Sequence, residues 1–278
     1  MAIKLIADSS CDLPRELAEK YNIEILPLLV YVNDKEYKDN IDISNDEIIN
    51  SMLEQKKVHT GQYPPSSFLE LYNRLSKTDD SYIYVPISSK LSGTYATAVS
   101  SLKLFKEENV DFDFTIIDAK LISMGIGLLL IEMAKMIEKG ASKEELIEFT
   151  NKTEINHIFA VDKLDWLLQG GRISKTSAVM GNLLNIKPIL TVENGNLIPL
   201  DKTRGNKKKI QKIKELIDSK IAEKEKKTFA ITHARNIEDA KVIEEYLKEN
   251  YTPKEIIITD LGAVITAHTG PGLIAVFF

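Results

Sequence analysis

The sequence has one cysteine and little glycine or proline. Cys11 stands alone, so the 278-residue chain can form neither a disulfide framework nor a multi-cysteine zinc site. The 13 glycines and 9 prolines are too few for a low-complexity linker or a fibrous repeat. A single cysteine also fits a reducing compartment, and we therefore expect a cytoplasmic protein.

The chain also has no apolar run long enough to predict a membrane-spanning helix. Its longest uncharged stretch, residues 261–278, is interrupted by Gly270, Pro271 and Gly272, which indicates strand, loop and strand. Near the N-terminus, Asp8 arrives too early for the apolar core of a signal peptide. We expect a soluble protein that makes no stable membrane insertion.

What remains is the composition of an ordinary globular protein. Hydrophobic residues make up 44% of the chain and charged residues 28%, with a formal net charge of −5. A chain of this length buries roughly three quarters of its unfolded surface, so it needs no structural metal to fold. The acidic balance argues against nucleic acid as a partner, although residues 202–214 carry seven positive charges and no acidic residue.

Short β-rich runs alternate with amphipathic helical runs, which predicts an α/β fold. Strand–loop–helix units in residues 1–155 predict a larger N-terminal domain with a parallel sheet and helices on both faces. Residues 156–278 predict a smaller, mixed α/β C-terminal domain. A hairpin predicted within residues 22–40 is a candidate to pack against the second domain.

Local signals mark several element boundaries. Ser44 with Glu47, and Ser142 with Glu145, have the spacing of capping boxes and predict two helix starts. The Asn-Gly pair at 194–195 lies between two β-rich runs and predicts a hairpin.

No motif of a familiar enzyme class is present. The chain contains no Gly-Lys pair, which excludes a phosphate loop of the Walker type. Ser92 is preceded by Lys90 rather than by the glycine of a nucleophile elbow. The four histidines lack metal-ligand spacing, so we predict no metal or cofactor and treat His157 and His233 as structural.

Seven short segments resemble those of the DegV family in order and spacing. The first is Asp8-Ser9-Ser10-Cys11-Asp12-Leu13-Pro14, and the last is His268-Thr269-Gly270-Pro271-Gly272. Five more lie between them, at residues 87–95, 118–127, 164–167, 170–174 and 187–190. Together they extend over nearly the whole chain.

The resemblance implies a two-domain DegV-like fold and a fatty-acid-binding protein similar to the carrier subunit of bacterial fatty acid kinase. Such carriers enclose one long-chain fatty acid between two domains and present its carboxylate to a separate ATP-dependent kinase. The kinase then forms an acyl-phosphate for phospholipid metabolism. Because the carrier performs no chemistry itself, the resemblance implies no catalytic residue, no metal and no cofactor.

The resemblance also implies a set of ligand-binding residues. Thr60, Ser92 and His268 would hold the carboxylate, and Arg172 would support it with a fixed positive charge. Gln62 and Gly93, which lie in the same two loops as Thr60 and Ser92, are secondary candidates.

One loop departs from the family pattern. Residues 60–64 read Thr-Gly-Gln-Tyr-Pro where the family commonly has Thr-Ser-Gln-Pro-Ser, which bears on the loop's conformation and hydrogen bonds.

The acyl chain is expected in a tunnel between the domains, lined in part by the apolar helix near residues 124–131.

Other interpretations stay open at this point. Ser92 could simply cap the helix that follows it, or serve as the nucleophile of an esterase with His268 as base. The basic segment 202–214 could be a solvated helix face, or could bind nucleic acid with salt-dependent affinity. In a carrier, this segment would dock the kinase, and its candidate residues are Arg204, Lys207, Lys208 and Lys209.

Overall fold

The computed structural model describes residues 2–173, 185–221 and 227–278. Ser174, the last residue of one DegV-like segment, lies outside these ranges. The strands are β1 (Ile3–Asp8), β2 (Ile23–Leu26), β3 (Leu29–Val32), β4 (Lys35–Lys38), β5 (Val58–Gly61), β6 (Ser81–Val85), β7 (Phe114–Ile116), β8 (His157–Ala160), β9 (Ile186–Glu193), β10 (Asn196–Arg204), β11 (Thr228–His233), β12 (Glu255–Asp260) and β13 (Ile274–Phe277). The α-helices are α1 (Arg15–Lys20), α2 (Asn45–Leu53), α3 (Pro65–Leu75), α4 (Thr94–Lys106), α5 (Met124–Glu138), α6 (Lys143–Lys152), α7 (Asp165–Gln169), α8 (Asn206–Lys220), α9 (Ile237–Asn250) and α10 (Ala263–Thr269).

The first half of the chain forms the expected parallel sheet, in the order β2-β1-β6-β7. Successive side chains of a strand point to opposite faces, so each strand contributes side chains to the packing on both faces of the sheet. Ile6 and Tyr84 pack in the cluster formed with α3 and α4, whereas Leu5 and Ile83 join the cluster that contains α5. Both faces are therefore covered by helices, as predicted for a parallel sheet.

The second half contains a six-stranded mixed sheet, in the order β10-β9-β8-β13-β11-β12. Ile158, Ile231 and Val276 pack on its outer face with α8 and α9. The alternate residues, including Phe159 and Ala275, point inward to the core shared with the first half. This half has fewer residues but the wider sheet, because antiparallel strands need only short connections.

The predicted hairpin of residues 22–40 divides between two sheets. β2 joins the parallel sheet, while β3 and β4 form the hairpin and pair with β5 in the order β4-β3-β5. Asn33 and Asp34 both have positive φ angles, of 50° and 65°, as a tight two-residue turn requires. β3 and β5 contact α10, which comes from the second half of the chain.

Helix α5 lies between the two larger sheets. It contacts β1 on one side and β11 and β13 on the other, and one apolar cluster consequently runs through both halves. Both predicted capping boxes are present, at Ser44 with Glu47 and at Ser142 with Glu145. Within the described ranges, no helix combines the length and the apolar character needed to cross a bilayer.

Candidate functional site

A cavity of about 340 Å³ lies between the three-stranded sheet, α10 and the inner face of the six-stranded sheet. Its volume falls in the range of small-molecule sites, roughly 300–1,000 Å³. The deep part is apolar and is lined by buried residues that include Phe159, Leu167, Leu197, Leu273, Ala275 and Phe277. Such a wall suits a hydrocarbon ligand, which binds by giving up its contact with water.

The six residues that the resemblance singled out all line this cavity. They are Thr60, Gln62, Ser92, Gly93, Arg172 and His268. Gln62 and Gly93 are exposed, so this polar end is where the cavity approaches the surface. The structure thus gathers residues that are up to 208 positions apart in the chain. Their contact with a ligand stays a prediction.

Thr60 and His268 form a hydrogen bond at the polar end. Thr60 lies in β5 and His268 in the last turn of α10, and the distance from Thr60 Oγ1 to His268 Nε2 is 2.7 Å. Burial, with a smaller contribution from the charge of Arg172, lowers the pKa of His268 to about 4. The imidazole is therefore neutral near pH 7, and it can either donate or accept a hydrogen bond at Nε2.

Gly170 leaves room for the imidazole of His268. A Cβ at residue 170 would collide with Nδ1 of His268, so a larger residue would displace the imidazole. The glycine belongs to the DegV-like segment that also carries Arg172.

Arg172 brings a positive charge to the cavity. Its Nε donates to the carbonyl oxygen of Leu91 at 3.1 Å, and Nη1 donates to the carbonyl oxygen of Gly170. In residues 2–173, 185–221 and 227–278, no carboxylate forms an ion pair with it. Partial burial lowers the pKa of Arg172, yet a guanidinium stays charged in proteins. The site is therefore suited to an anion.

Ser92 lines the cavity and also forms a hydrogen bond at the start of α4. Its Oγ accepts a hydrogen bond at 3.2 Å from the N–H of Thr94, the first residue of α4, whereas the N-cap position itself is occupied by Gly93. Gly93 allows the loop that contains Gln62 to lie close to it, because a Cβ at residue 93 would collide with Oε1 of Gln62. Tyr63, at a position where this chain departs from the family, packs edge-on against Phe68 at 4.8 Å between ring centroids.

The expectation that residues 124–131 line the cavity is wrong. Ile122 and Ser123, just before α5, contribute to the wall, whereas the helix itself packs into the core between the two sheets. Its apolar character is explained by burial on both sides rather than by a ligand. The inner face of the six-stranded sheet forms the deep wall instead.

Lys209 is wrongly placed among the docking candidates. Only 1% of its side chain is exposed, and its Nζ lies 2.7 Å from Oδ2 of Asp239. A lysine at this position faces the core side of α8, and a buried cation requires such a partner. Arg204, Lys207 and Lys208 are exposed, so the basic patch that remains is smaller than the sequence indicates.

The geometry does not form the triad that an esterase would need. Nε2 of His268 pairs with Thr60, and Oγ of Ser92 bonds to Thr94. Among the residues that the structure covers, no carboxylate is paired with His268. A general base held by a carboxylate next to the serine is therefore missing from this arrangement.

The other two histidines of interest lie away from the polar end. His157 is buried, with Nδ1 at 2.8 Å from the Ile155 carbonyl oxygen, and burial lowers its pKa to about 4. Its ring packs edge-on against Phe277. Nδ1 of His233 lies 3.0 Å from Oδ1 of Asp260 on the adjacent strand. Both contacts are consistent with structural roles.

Sequence reasoning missed Ser123 and underrated Asp12. Ser123 lines the cavity with φ at +51°, and its Oγ donates to Oδ2 of Asp12 at 2.5 Å. Asp12 resembles an ordinary turn residue in the sequence, because nothing local shows that the chain folds over it. The only available signal was its place in the first DegV-like segment.

Comparisons with known proteins give the family directly. The chain matches the family described as "Uncharacterised protein, DegV family" over residues 2–278. It belongs to the DegV family. A DegV domain-containing protein of Clostridium perfringens is 35% identical over 279 residues, covering 99% of this chain and 96% of the relative.

Two solved structures of the family share the fold over the whole chain. A DegV family protein from Thermus thermophilus, described for its fatty acid binding, has a TM-score of 0.90 at 29% identity and covers 100% of this chain and 99% of its own. A Thermotoga maritima protein whose structure reveals fatty acid binding function has a TM-score of 0.84 at 31% identity, covering 100% and 98%. The DegV-like, two-part α/β fold expected from the sequence is therefore confirmed.

Proposed function

We propose that this protein binds a long-chain fatty acid in the cavity, with the carboxylate at the polar end. The carboxylate would meet Thr60, Ser92 and His268, with Arg172 beside them. The observation that carries the proposal is the guanidinium of Arg172, which lines the polar end of a cavity whose deep part is apolar and which pairs with no carboxylate of the residues that the structure describes. The two family members described as fatty-acid-binding proteins support it.

The acyl chain and the carboxylate of such a ligand have different energetic requirements, and each matches one end of the cavity. Burying about sixteen carbons at about 0.8 kcal/mol per methylene gives on the order of 12 kcal/mol before the costs of association. A carboxylate cannot be buried bare, because an unpaired ion in an apolar site costs several kcal/mol. Hydroxyl donors and one cation at the polar end would offset that cost.

We further propose that the protein is a carrier, without chemistry or a cofactor of its own, that presents the carboxylate to a separate ATP-dependent fatty acid kinase. The position of the polar end near the surface supports this proposal, because a kinase must reach the carboxylate to form an acyl-phosphate. Arg204, Lys207 and Lys208 are exposed cations that could dock an acidic partner surface. This function places the protein in the cytoplasm, where ATP is supplied.

The decisive experiment is organic extraction of the purified protein followed by mass spectrometry, then uptake of palmitate by the delipidated protein. We expect about one equivalent of fatty acid to be recovered or taken up. A protein that is empty after purification and also fails to take up palmitate would contradict the proposal. Palmitate uptake should be compared with that of hexadecane, which fits the apolar wall but has no head group.

A further inference from the structure

Two buried carboxylates hold the beginning of α10, the helix that carries His268 at its other end. The Gly262 N–H donates to Oδ1 of Asp12 at 2.8 Å, and the Ala263 N–H donates to Oδ1 of Asp39 at 2.8 Å. Asp12 and Asp39 are only 4% and 1% exposed. The first N–H groups of a helix have no partner within it, so these two contacts determine where α10 begins.

Each carboxylate is itself held by a serine hydroxyl. Ser9 donates to Oδ2 of Asp39 at 2.7 Å, and Ser123 donates to Oδ2 of Asp12 at 2.5 Å. Ser123 is part of the cavity wall. The two aspartates therefore connect the first DegV-like segment, the start of α5 and the start of α10.

Helix α10 is too short to absorb a displacement at its beginning. It extends from Ala263 to Thr269, and His268 lies five residues beyond Ala263, a distance of about 7.5 Å along a helix axis. A helix this short moves nearly as a rigid rod, so a shift at Ala263 carries over to the imidazole. The hydrogen bond between His268 and Thr60 would then lengthen or break.

We propose that Asp39 and Asp12 are positioning residues for the polar end of the cavity, acting on His268 through α10. The proposal rests on the proposed function for its effect on fatty acid binding. The alternative is that the two aspartates merely stabilise the fold. The two cases differ in whether the environment of His268 changes.

The test compares two substitutions of one residue. Asp39→Asn keeps an oxygen that can accept the Ala263 N–H and an amide that can donate to Ser9, whereas Asp39→Ala keeps neither. The readout is the pKa of His268 in the ligand-free protein, followed by NMR and assigned with His268→Gln. We expect the pKa to stay near its wild-type value in Asp39→Asn and to rise by at least about one unit toward 6.5 in Asp39→Ala.

Fatty acid binding gives a second readout. We expect Asp39→Ala to weaken palmitate binding about tenfold, which is about as much as His268→Ala does. The double variant should bind no more weakly than His268→Ala alone, because both changes remove the same interaction. Additive losses would overturn the proposal.

Two further variants separate positioning from stability. Gly262→Ala places a Cβ about 3.1 Å from carboxylate oxygens of both Asp12 and Asp39, so it should raise the pKa of His268 without removing a charge. Ile243→Val weakens the apolar cluster on the outer face of the six-stranded sheet and should leave the pKa of His268 unchanged. The positioning role would be overturned if the pKa of His268 changed equally in Gly262→Ala and Ile243→Val, or if it stayed unchanged in Asp39→Ala.

Because this NMR readout needs no ligand, it is independent of the proposed function. A wild-type protein that binds no palmitate would contradict the fatty acid proposal, while the pKa of His268 would still test the role of Asp39.

Discussion

The two ends of the cavity are built in different ways. The deep end is a continuous apolar wall in which Phe159 and Ala275 are neighbours on paired strands of one sheet. The polar end is assembled from separate loops and helices, with Thr60 and His268 from opposite halves of the chain. The deep end can therefore tolerate many apolar sequences, whereas the polar end depends on a few side chains placed by the whole fold.

The largest effect is expected from blocking the deep end. Ala275→Phe fills space beside Phe159, so we expect affinity for palmitate to fall about 100-fold while octanoate, which needs less depth, loses much less. Overpacking of this kind costs about 1–3 kcal/mol of stability, and circular dichroism should confirm that the variant is folded. Unchanged affinity for both acids would mean that the acyl chain does not extend to Ala275, and equal losses would mean that the substitution disturbs the whole cavity. Ala275→Val is the milder control.

A smaller but more selective effect is expected at the polar end. Arg172→Gln removes the cation but keeps hydrogen-bond donors, so palmitate binding should weaken about tenfold, which corresponds to the lower end of the about 1.5–3 kcal/mol for a charge-assisted hydrogen bond. Hexadecanol, which has no charge, should bind the variant and the wild type alike. Arg235→Gln is the matched control, because Arg235 pairs with Asp46 away from the cavity. A parallel loss of acid and alcohol would contradict a charge-specific role.

The pH dependence of stability tests the neutral state of His268. Its pKa is about 4 in the folded protein and about 6.5 when unfolded. Between these values the unfolded chain binds more protons, so the free energy of unfolding rises with pH. Relative to His268→Gln, the wild type should gain up to about 3 kcal/mol between pH 4 and pH 7. Urea unfolding at several pH values measures this difference.

His157 has a similarly lowered pKa but is present in both proteins, so its contribution cancels in that comparison. Parallel stability curves for the wild type and His268→Gln would show that the imidazole is not held in a desolvated environment. A bound carboxylate should raise the pKa of His268 and reduce the difference.

The smallest effect is expected outside the cavity. Reversing the charge of Lys207 and Lys208 together should lower the rate of acyl-phosphate formation by a fatty acid kinase severalfold. Bound lipid and stability should be unchanged, because both side chains are exposed. The control is reversal of two other exposed lysines, Lys241 in α9 and Lys254 just before β12. Loss of bound lipid in the Lys207 and Lys208 variant would show that the substitutions disturb the cavity instead.

Patterns within a few residues determined much of this protein. Alternating strands and helices predicted the parallel sheet, and the spacing of Ser44 and Glu47 predicted the start of α2 correctly. These are local effects, since caps and side-chain periodicity depend on neighbours in the chain. The resemblance to the DegV family added six of the residues that line the cavity, which no local pattern connects.

Only the tertiary structure decided which residues are exposed or line the cavity, and which residues far apart in the sequence contact one another. It buried Lys209 against Asp239 and placed α5 in the core rather than along the cavity. It also joined Asp12 and Asp39 to α10, across more than 200 positions of sequence. The sequence determines where helices and strands begin, because those signals are local. Burial and long-range contacts depend on how distant segments pack, and neighbouring residues carry little information about that.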